Sequence, residues 1–341
     1  MVWKKIARLA LLSLLLGLAL LSCGKGPGPL TFSLIAGHGE QTVAVEDFMP
    51  QSITIRAGDT MTWTVKSEEP HTVTFLSGAE KPPEAIPDPE NPQQLLGNPQ
   101  VFFPVGGKTY SGSGYFNSGF LLGAQSYSLA FDKEGDYEYI CILHPSMKGS
   151  VTVKKAGVRV AVSQAEIDKQ MEMEMMLHEE DAKKARAANL APQKALGPGG
   201  ATEWKVKAGI EAKSGHTVID LMEFLPDKLT IKEGDTVVFE VMHGAPHTVS
   251  FMAGEKPLDF MLQEPQPQGP PKLVMNPKAL IPAAVGRPYD GAGFWNSGAL
   301  NLGPQAPKVV SVTFSRAGTY TYLCILHANQ GMEGTIVVEK R

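Results

Sequence analysis

The sequence predicts an all-β protein made of two Greek-key β-sandwiches joined by a helical linker. Three observations support this prediction: an internal repeat, short runs in which apolar and polar residues alternate, and one charged segment without proline or glycine between the two copies. The chain of 341 residues has room for two domains, each with its own hydrophobic core. Its 35 glycines and 26 prolines fit strands joined by many turns.

Four sequence blocks recur in the same order in the two halves and define the repeat. The paired blocks are residues 47–60 with 223–236, 70–75 with 246–251, 114–119 with 293–298, and 135–144 with 318–327. We therefore predict one domain over residues 42–156 and a second over residues 202–341. The short segment of residues 23–41 that precedes the first domain is interpreted as a tether.

Alternation of apolar and polar residues predicts the strands within each copy. Ile53 and Ile55 alternate with polar residues, and Tyr137 and Tyr139 do so before Cys141. This period of two is typical of half-buried strands. Many short strands at this spacing indicate a sandwich in each half.

A charged helix is predicted between the two copies. The linker covers residues 157–201, and its helical part runs over residues 163–189 until Pro192 and a Gly-Pro-Gly-Gly run end it. Two glutamates, Glu179 and Glu180, each stand four positions before a lysine, which stabilises a helix.

The first residues of the chain are typical of an exported lipoprotein. Basic residues occur within the first eight positions, residues 9–21 are almost wholly apolar, and Ser22 precedes Cys23. This order indicates a signal peptide over residues 1–22 and resembles a bacterial lipobox, which implies lipidation of Cys23. We expect an extracytoplasmic protein anchored to the membrane surface on the periplasmic side. An ordinary signal peptide or an uncleaved anchor is the alternative.

Each half carries one cysteine, two histidines and one methionine at matching places. They are His71, Cys141, His144 and Met147 in the first half, and His247, Cys324, His327 and Met332 in the second. A thiolate, two imidazoles and a weak axial thioether are the donors of a blue-copper site. Zinc is the alternative metal, but it rarely uses methionine. The sequence therefore predicts two copper ions per chain.

The same residues resemble those of the cupredoxin family. The run from Cys141 to Met147 is similar to the short ligand loop of amicyanin, and the longer run from Cys324 to Met332 is similar to that of plastocyanin and pseudoazurin. The resemblance implies a cupredoxin-like sandwich in each half, with the eight residues above as ligands of two type 1 copper ions. It also implies electron transfer through the exposed imidazole edge of His144 or His327.

Three features depart from the family pattern. Thr72 and Thr248 follow the first ligand histidines, where many members have asparagine. Gln330 competes with Met332 as an axial ligand, since an amide oxygen is also found in that position. Both halves contain an Asn-Ser-Gly block, in residues 117–119 and 296–298, for which the sequence suggests no role.

An electron carrier at the outer face of a membrane, without enzymatic activity, is the predicted function. Its partner would be a redox protein such as a cytochrome, an oxidase or a reductase. The net charge of -4 and the lack of a basic cluster predict no nucleic-acid partner. The helix between the copies suggests independent sites, although a linker that folds back would bring the two sites together.

Two other functions are alternatives. A copper-delivery protein would use the methionines of the linker helix, Met171, Met173, Met175 and Met176, as a capture surface, but a packing role for them is favoured. A copper oxidoreductase of the nitrite reductase or multicopper oxidase type would need further histidines. Ile140 and Leu323 occupy the places where a histidine would relay electrons to a catalytic copper.

Overall fold

The structure is a computed structural model that describes residues 28–341. The predicted signal peptide and Cys23 lie outside the described residues. Strands dominate the described chain, which contains three α-helices. Within this part of the chain, no helix is both long enough and apolar enough to cross a membrane.

The first half contains twelve strands and one short helix. Its strands are β1 Thr31–His38, β2 Val43–Met49, β3 Ser52–Arg56, β4 Thr60–Lys66, β5 Thr74–Phe75, β6 Ala85–Pro87, β7 Leu95–Gly97, β8 Thr109–Tyr110, β9 Phe116–Asn117, β10 Ser126–Phe131, β11 Gly135–Ile140 and β12 Lys148–Lys154. Helix α1, Pro99–Phe102, lies between β7 and β8.

The second half repeats this plan after the long helix α2, Gln164–Asn189. Its strands are β13 Gln193–Leu196, β14 Thr202–Ser214, β15 Thr217–Leu225, β16 Lys228–Lys232, β17 Thr236–Met242, β18 Ser250–Phe251, β19 Met261–Glu264, β20 Lys272–Met275, β21 Trp295–Asn296, β22 Val309–Thr313, β23 Gly318–Leu323 and β24 Glu333–Glu339. Helix α3, Pro277–Leu280, is the counterpart of α1.

Each half folds as a two-layer sandwich, as the alternation of apolar residues predicts. In the first half, the layer β2-β1-β4-β10-β8 faces the layer β3-β12-β11-β5-β9. In the second half, β15-β14-β17-β22 faces β16-β24-β23-β18-β21. Parallel pairs of strands that are not neighbours in sequence, β1 with β4 and β3 with β12, require the crossing connections of a Greek key. The all-β prediction of two sandwiches is confirmed.

Strand β1 lies within the segment interpreted as a tether. Its inward side chains Phe32 and Leu34 are 2% exposed and belong to the core of the first sandwich. The strand pairs with β2 and β4, so it is a central strand of its layer. The alternating run Thr-Phe-Ser-Leu is the sequence signal for it.

The two sandwiches share one continuous sheet. Strand β2 pairs antiparallel with β15, with Val45 opposite Ile219 and Val43 opposite Leu221. Val45, Ile219 and Leu221 are buried there together with Ala182 of α2. Without this pairing, β2 and β15 would each be an edge strand with unpaired backbone N–H and C=O groups. The pairing satisfies these groups in both sandwiches.

A second contact between the halves lies beyond the metal-binding loops. Strand β7 pairs with β20, at Leu96 opposite Val274, and extends a small four-stranded sheet across both halves. An ion pair joins Lys272 Nζ to Asp88 Oδ2 at 2.7 Å. Two separate contacts fix the orientation of one sandwich relative to the other.

Helix α2 folds back against the shared sheet. Ser163 caps its start in a reciprocal capping box with Glu166, and the two predicted Glu–Lys pairs are present, with Lys183 Nζ 2.6 Å from Glu179 Oε1. Met171 packs in the core of the first sandwich, whereas Met176 is exposed. The linker methionines therefore divide between a packing surface and solvent.

Candidate metal centres

The first group of predicted ligands comes together at one end of the first sandwich. Cys141 Sγ lies 3.4 Å from His144 Nδ1 and 4.0 Å from His71 Nδ1. All three residues are buried, and their donor atoms lie within 4.8 Å of one another. Metal bonds of roughly 2.0–2.3 Å in a trigonal plane separate such donors by about 3.5 Å, so the group fits a bound copper ion.

The second group repeats the arrangement more tightly. Cys324 Sγ lies 3.4 Å from His327 Nδ1 and 3.6 Å from His247 Nδ1, and the two imidazole Nδ1 atoms are 3.1 Å apart. His247 and Cys324 are fully buried. The two His–Cys–His groups fit two copper ions per chain.

The ligand loops place each methionine beside its cysteine. In the first loop the Cys141 N–H donates to the Met147 carbonyl, and the Met147 N–H donates to the His144 carbonyl, both at 3.0 Å. The backbone of Cys324 and Met332 pairs in the same way at 3.0 Å. Both methionines are buried. Their sulfur ligation stays a prediction.

Gln330, the competing axial residue, points away from the second centre. Its Nε2 donates to the Glu69 carboxylate at 3.3 Å, on the other half of the chain. Met332 is fully buried in the core of the second sandwich. The orientation of Gln330 favours Met332 as the axial residue.

Electrostatics prepare the cysteine and the first histidine of each group for a metal ion. Burial alone would raise the pKa of the Cys141 thiol, but the charge of His144 and hydrogen bonds from His144 and from the Thr72 backbone outweigh it and lower that pKa. Burial holds the pKa of His71 well below its usual range. The matching cysteine and first histidine of the second centre shift in the same directions. A thiolate and a neutral imidazole are the forms that bind metal.

The threonine after the first histidine ties its strand to the cysteine loop. Thr72 Oγ1 accepts a hydrogen bond from the Ile142 N–H at 2.8 Å, and the Thr72 N–H donates to Cys141 Sγ at 3.3 Å. In the second half, the Ile325 N–H donates to Thr248 Oγ1 at 2.8 Å. Threonine thus joins the two ligand segments at the position where many cupredoxins have asparagine.

The Asn-Ser-Gly block anchors that threonine. Thr74 Oγ1 donates to Asn117 Oδ1 at 2.8 Å and lies 3.1 Å from Thr72 Oγ1, and Asn117 Nδ2 donates to two carbonyls of α1. Ser118 Oγ accepts from the Val73 N–H at 2.9 Å. Asn296, Ser297 and Ser250 form the same contacts in the second half. The block is a buried polar support for the metal-binding loop.

Two glycines allow the first-strand backbone to approach the upstream histidine of each group. Gly37 has φ +75°, and a Cβ on it would lie 2.0 Å from His71 Nε2. Gly209 has φ +77°, and a Cβ there would lie 2.6 Å from His247 Nε2. Each glycine sits where the strand register shifts, at a bulge. The Ala-Gly pair repeated in both copies is the sequence signal that would have identified them.

The two centres differ in what contacts Nε2 of the first histidine. His243 Nε2 contacts His247 Nε2, and His243 Nδ1 lies 3.0 Å from Asp220 Oδ1, oriented off the line of a regular hydrogen bond. His71 Nε2 has no hydrogen-bond partner among the described residues. This carboxylate–histidine support exists at the second centre, and sequence reasoning did not identify it.

The imidazole edges of His144 and His327 are not exposed, contrary to the expectation for an electron port. The two residues are 6% and 5% exposed, and residues of both halves surround the space beside them. Both line one cavity of about 550 Å³ between the sandwiches. The expectation failed because it treated each sandwich as free at its metal-binding end.

Known proteins with similar sequences are copper proteins. The family described as copper binding proteins, plastocyanin/azurin family, matches residues 38–154 and 304–339. Amicyanin-alpha of Methylorubrum extorquens is 32% identical over 119 residues, which are 35% of this chain and 74% of that protein. Plastocyanin of Scenedesmus fuscus is 31% identical over 109 residues, 31% of this chain and 86% of that protein. The crystal structure of amicyanin from Paracoccus versutus is 21% identical, with a TM-score of 0.23, over 36% of this chain and 81% of that one.

Proposed function

The chain belongs to the plastocyanin/azurin family of copper-binding proteins, and from that premise we propose that it is a blue (type 1) copper electron-transfer protein. The observation that carries the proposal is the pair of buried His–Cys–His groups, one in each sandwich. Copper bound there supplies a one-electron couple between its cuprous and cupric states. Each half of the chain then holds one mononuclear site.

The proposed ligands are the eight residues predicted from the repeat. They are His71, Cys141, His144 and Met147 at the first site, and His247, Cys324, His327 and Met332 at the second. The thiolate favours the cuprous state, and imidazole serves both states. The hydrogen bonds to the cysteines and to Thr72 and Thr248 hold the donors in place, which keeps rearrangement small when the charge changes.

The proposed role is electron transfer without a bound substrate. All three donors of each group are buried, and so are Met147 and Met332, the proposed axial residues. A catalytic metal site keeps an open position for water or substrate. Closed, buried sites therefore favour a carrier over an oxidoreductase.

The proposed setting is the outer face of a membrane, where lipid on Cys23 would anchor the chain. The order of charged, apolar and small residues over positions 1–23 supports this location. The partner would be a redox protein such as a cytochrome, an oxidase or a reductase. We propose the domain limits 42–156 and 202–341, with strand β1 added to the first domain.

A redox titration with a cuprous chelator present tests the proposal on the full chain loaded with copper. We expect an intense visible thiolate band that is bleached by two electrons per chain, one for each His–Cys–His group, and restored on reoxidation without loss of copper. Copper that passes to the chelator during the cycle would contradict the carrier and favour copper delivery. Steady consumption of nitrite or oxygen would instead favour an enzyme.

A further inference from the structure

The two proposed copper sites face one another across the contact between the sandwiches. His144 and His327 both turn their Nε2 edges into the cavity that separates the halves, while their Nδ1 atoms face their own cysteines. Apolar side chains that include Leu143 and Leu326 line the same cavity. The imidazole edges are therefore the parts of the two metal shells that approach each other.

One carboxylate group lies between these two edges. Glu69 Oε1 is 3.9 Å from His144 Nε2, and Glu69 Oε2 is 3.9 Å from His327 Nε2. The Glu69 side chain is 13% exposed, so these charges interact in a mostly buried setting. Each contact is longer than a hydrogen bond and is electrostatic in character.

Glu69 is held in this position from both halves. It precedes Pro70 and the ligand His71, which fixes its backbone to the first site. Gln330, which belongs to the ligand loop of the second site, donates from Nε2 to Glu69 Oε2 at 3.3 Å and to the Glu68 carbonyl at 3.4 Å. The residue between the two edges is therefore attached to the His71 segment of the first site and to the ligand loop of the second.

We propose that Glu69 links the two copper sites and that an electron passes between them along His144, Glu69 and His327. The inference rests on the proposed electron-transfer function. In the exchange, the cuprous ion at one site is oxidised and the cupric ion at the other is reduced by the same electron. No bond is formed or broken, and no proton leaves the protein. Two through-space steps of 3.9 Å with the carboxylate between them replace a single longer step from His144 to His327, which favours electron tunnelling.

The test is the rate of intramolecular electron transfer in the full chain loaded with copper. A short radiolytic pulse delivers at most one electron per molecule, and the thiolate bands then report how the electron redistributes between the sites. Glu69→Ala gives the first half the residue that the second half has as Ala245. Glu68→Ala is the matched control, because Glu68 is the adjacent, exposed glutamate and loses the same charge. Glu69→Gln keeps the shape but turns one carboxylate oxygen into a donor.

We expect a redistribution phase independent of protein concentration in the unmodified chain and in Glu68→Ala, and its loss in Glu69→Ala. Glu69→Gln should slow it. Pulsed EPR on the fully oxidised chain checks, apart from any reaction, that the distance between the two cupric ions is the same in all variants. An unchanged phase in a Glu69→Ala protein that keeps both thiolate bands would overturn the link and leave the proposed function standing. Absence of the thiolate bands from the unmodified chain would refute the proposed function itself.

Discussion

At the residue scale, the positions just before the first ligand histidine distinguish the two sites. The first copy has Ser-Glu-Glu at residues 67–69, and the second has His-Gly-Ala at residues 243–245. Glu69 lies between the imidazole edges of His144 and His327, while His243 contacts His247 of its own half. Residues that are identical in the two copies form the metal groups, and residues that differ give each site its own surroundings.

His243 should lower the reduction potential of the second site relative to the first. If His247 binds metal through Nδ1, its Nε2–H faces His243 Nε2. On the other side of the His243 ring, Nδ1 lies 3.0 Å from Asp220 Oδ1. That support makes His247 a stronger donor and stabilises the cupric state. His243→Ser, which installs the residue of the first copy, should raise the potential of the second site. A net hydrogen bond of about 1 kcal/mol corresponds to roughly 40 mV for one electron.

Spectroelectrochemical titration of the full chain measures both potentials in the same sample. The first site is the internal control, because His71 Nε2 has no such partner among the described residues. Its potential should stay where it was. A potential at the second site that is unchanged or lower in His243→Ser would show that the Asp220–His243 pair does not act on the metal ligand.

The two His–Cys–His groups were predictable from the sequence, whereas these supporting residues were not. Cys141 and Cys324 lie in matching blocks, and their spacing to the following histidine and methionine has a direct chemical meaning. Glu69 acquires its role only when the two sandwiches dock, and Asp220 acquires its role only when the second sandwich folds and brings it to His243. In a single repeat each of them resembles an ordinary surface carboxylate.

At the element scale, the junction of β2 and β15 determines how the two sites face each other. Helix α2 was predictable from its composition and its cap at Ser163, because both signals are local. The pairing of β2 with β15 was not, because strand partners distant in sequence leave no local signal. In the structure, Val43–Met49 is buried at nearly every residue and not only at alternate residues. Such a pattern is typical of a strand that is covered on both faces.

Weakening the packing between β2 and β15 should change the distance between the two proposed copper sites more than it changes the geometry within either site. Ile219 of β15 is fully buried against Val45 of β2. Ile219→Ala should lower the free energy of unfolding by about 2–5 kcal/mol and broaden the distribution of distances between the two cupric ions. Denaturant unfolding and pulsed EPR measure the two effects.

Ile336→Ala is the matched control for Ile219→Ala. Ile336 is also fully buried, but it lies in β24, which pairs with β16 and β23 and not with β2. We expect a similar loss of stability with a distance distribution as narrow as that of the unmodified chain. Equal broadening in both variants would mean that general destabilisation, and not the junction, controls the relation between the sites.

At the scale of the whole molecule, the two sandwiches form one body with its two metal groups at an internal boundary. The shared sheet, the second contact through β7 and β20, and helix α2 all join the halves. The sequence predicted two sandwiches and a helix between them, but not this docking, because a repeat specifies the copies and not their arrangement. The expectation of independent sites is therefore replaced by the proposal of a linked pair.

Copper content and the visible spectrum of the full chain, beside those of Cys141→Ser and Cys324→Ser, test the central claim most directly. The account predicts two copper ions per chain, one for each His–Cys–His group, and an intense blue thiolate band. Each variant should keep one copper ion with a thiolate ligand and about half of the band, because the cysteine sulfur supplies it. A colourless copper complex, or a full band that survives either substitution, would contradict the assignment of one blue-copper site to each half.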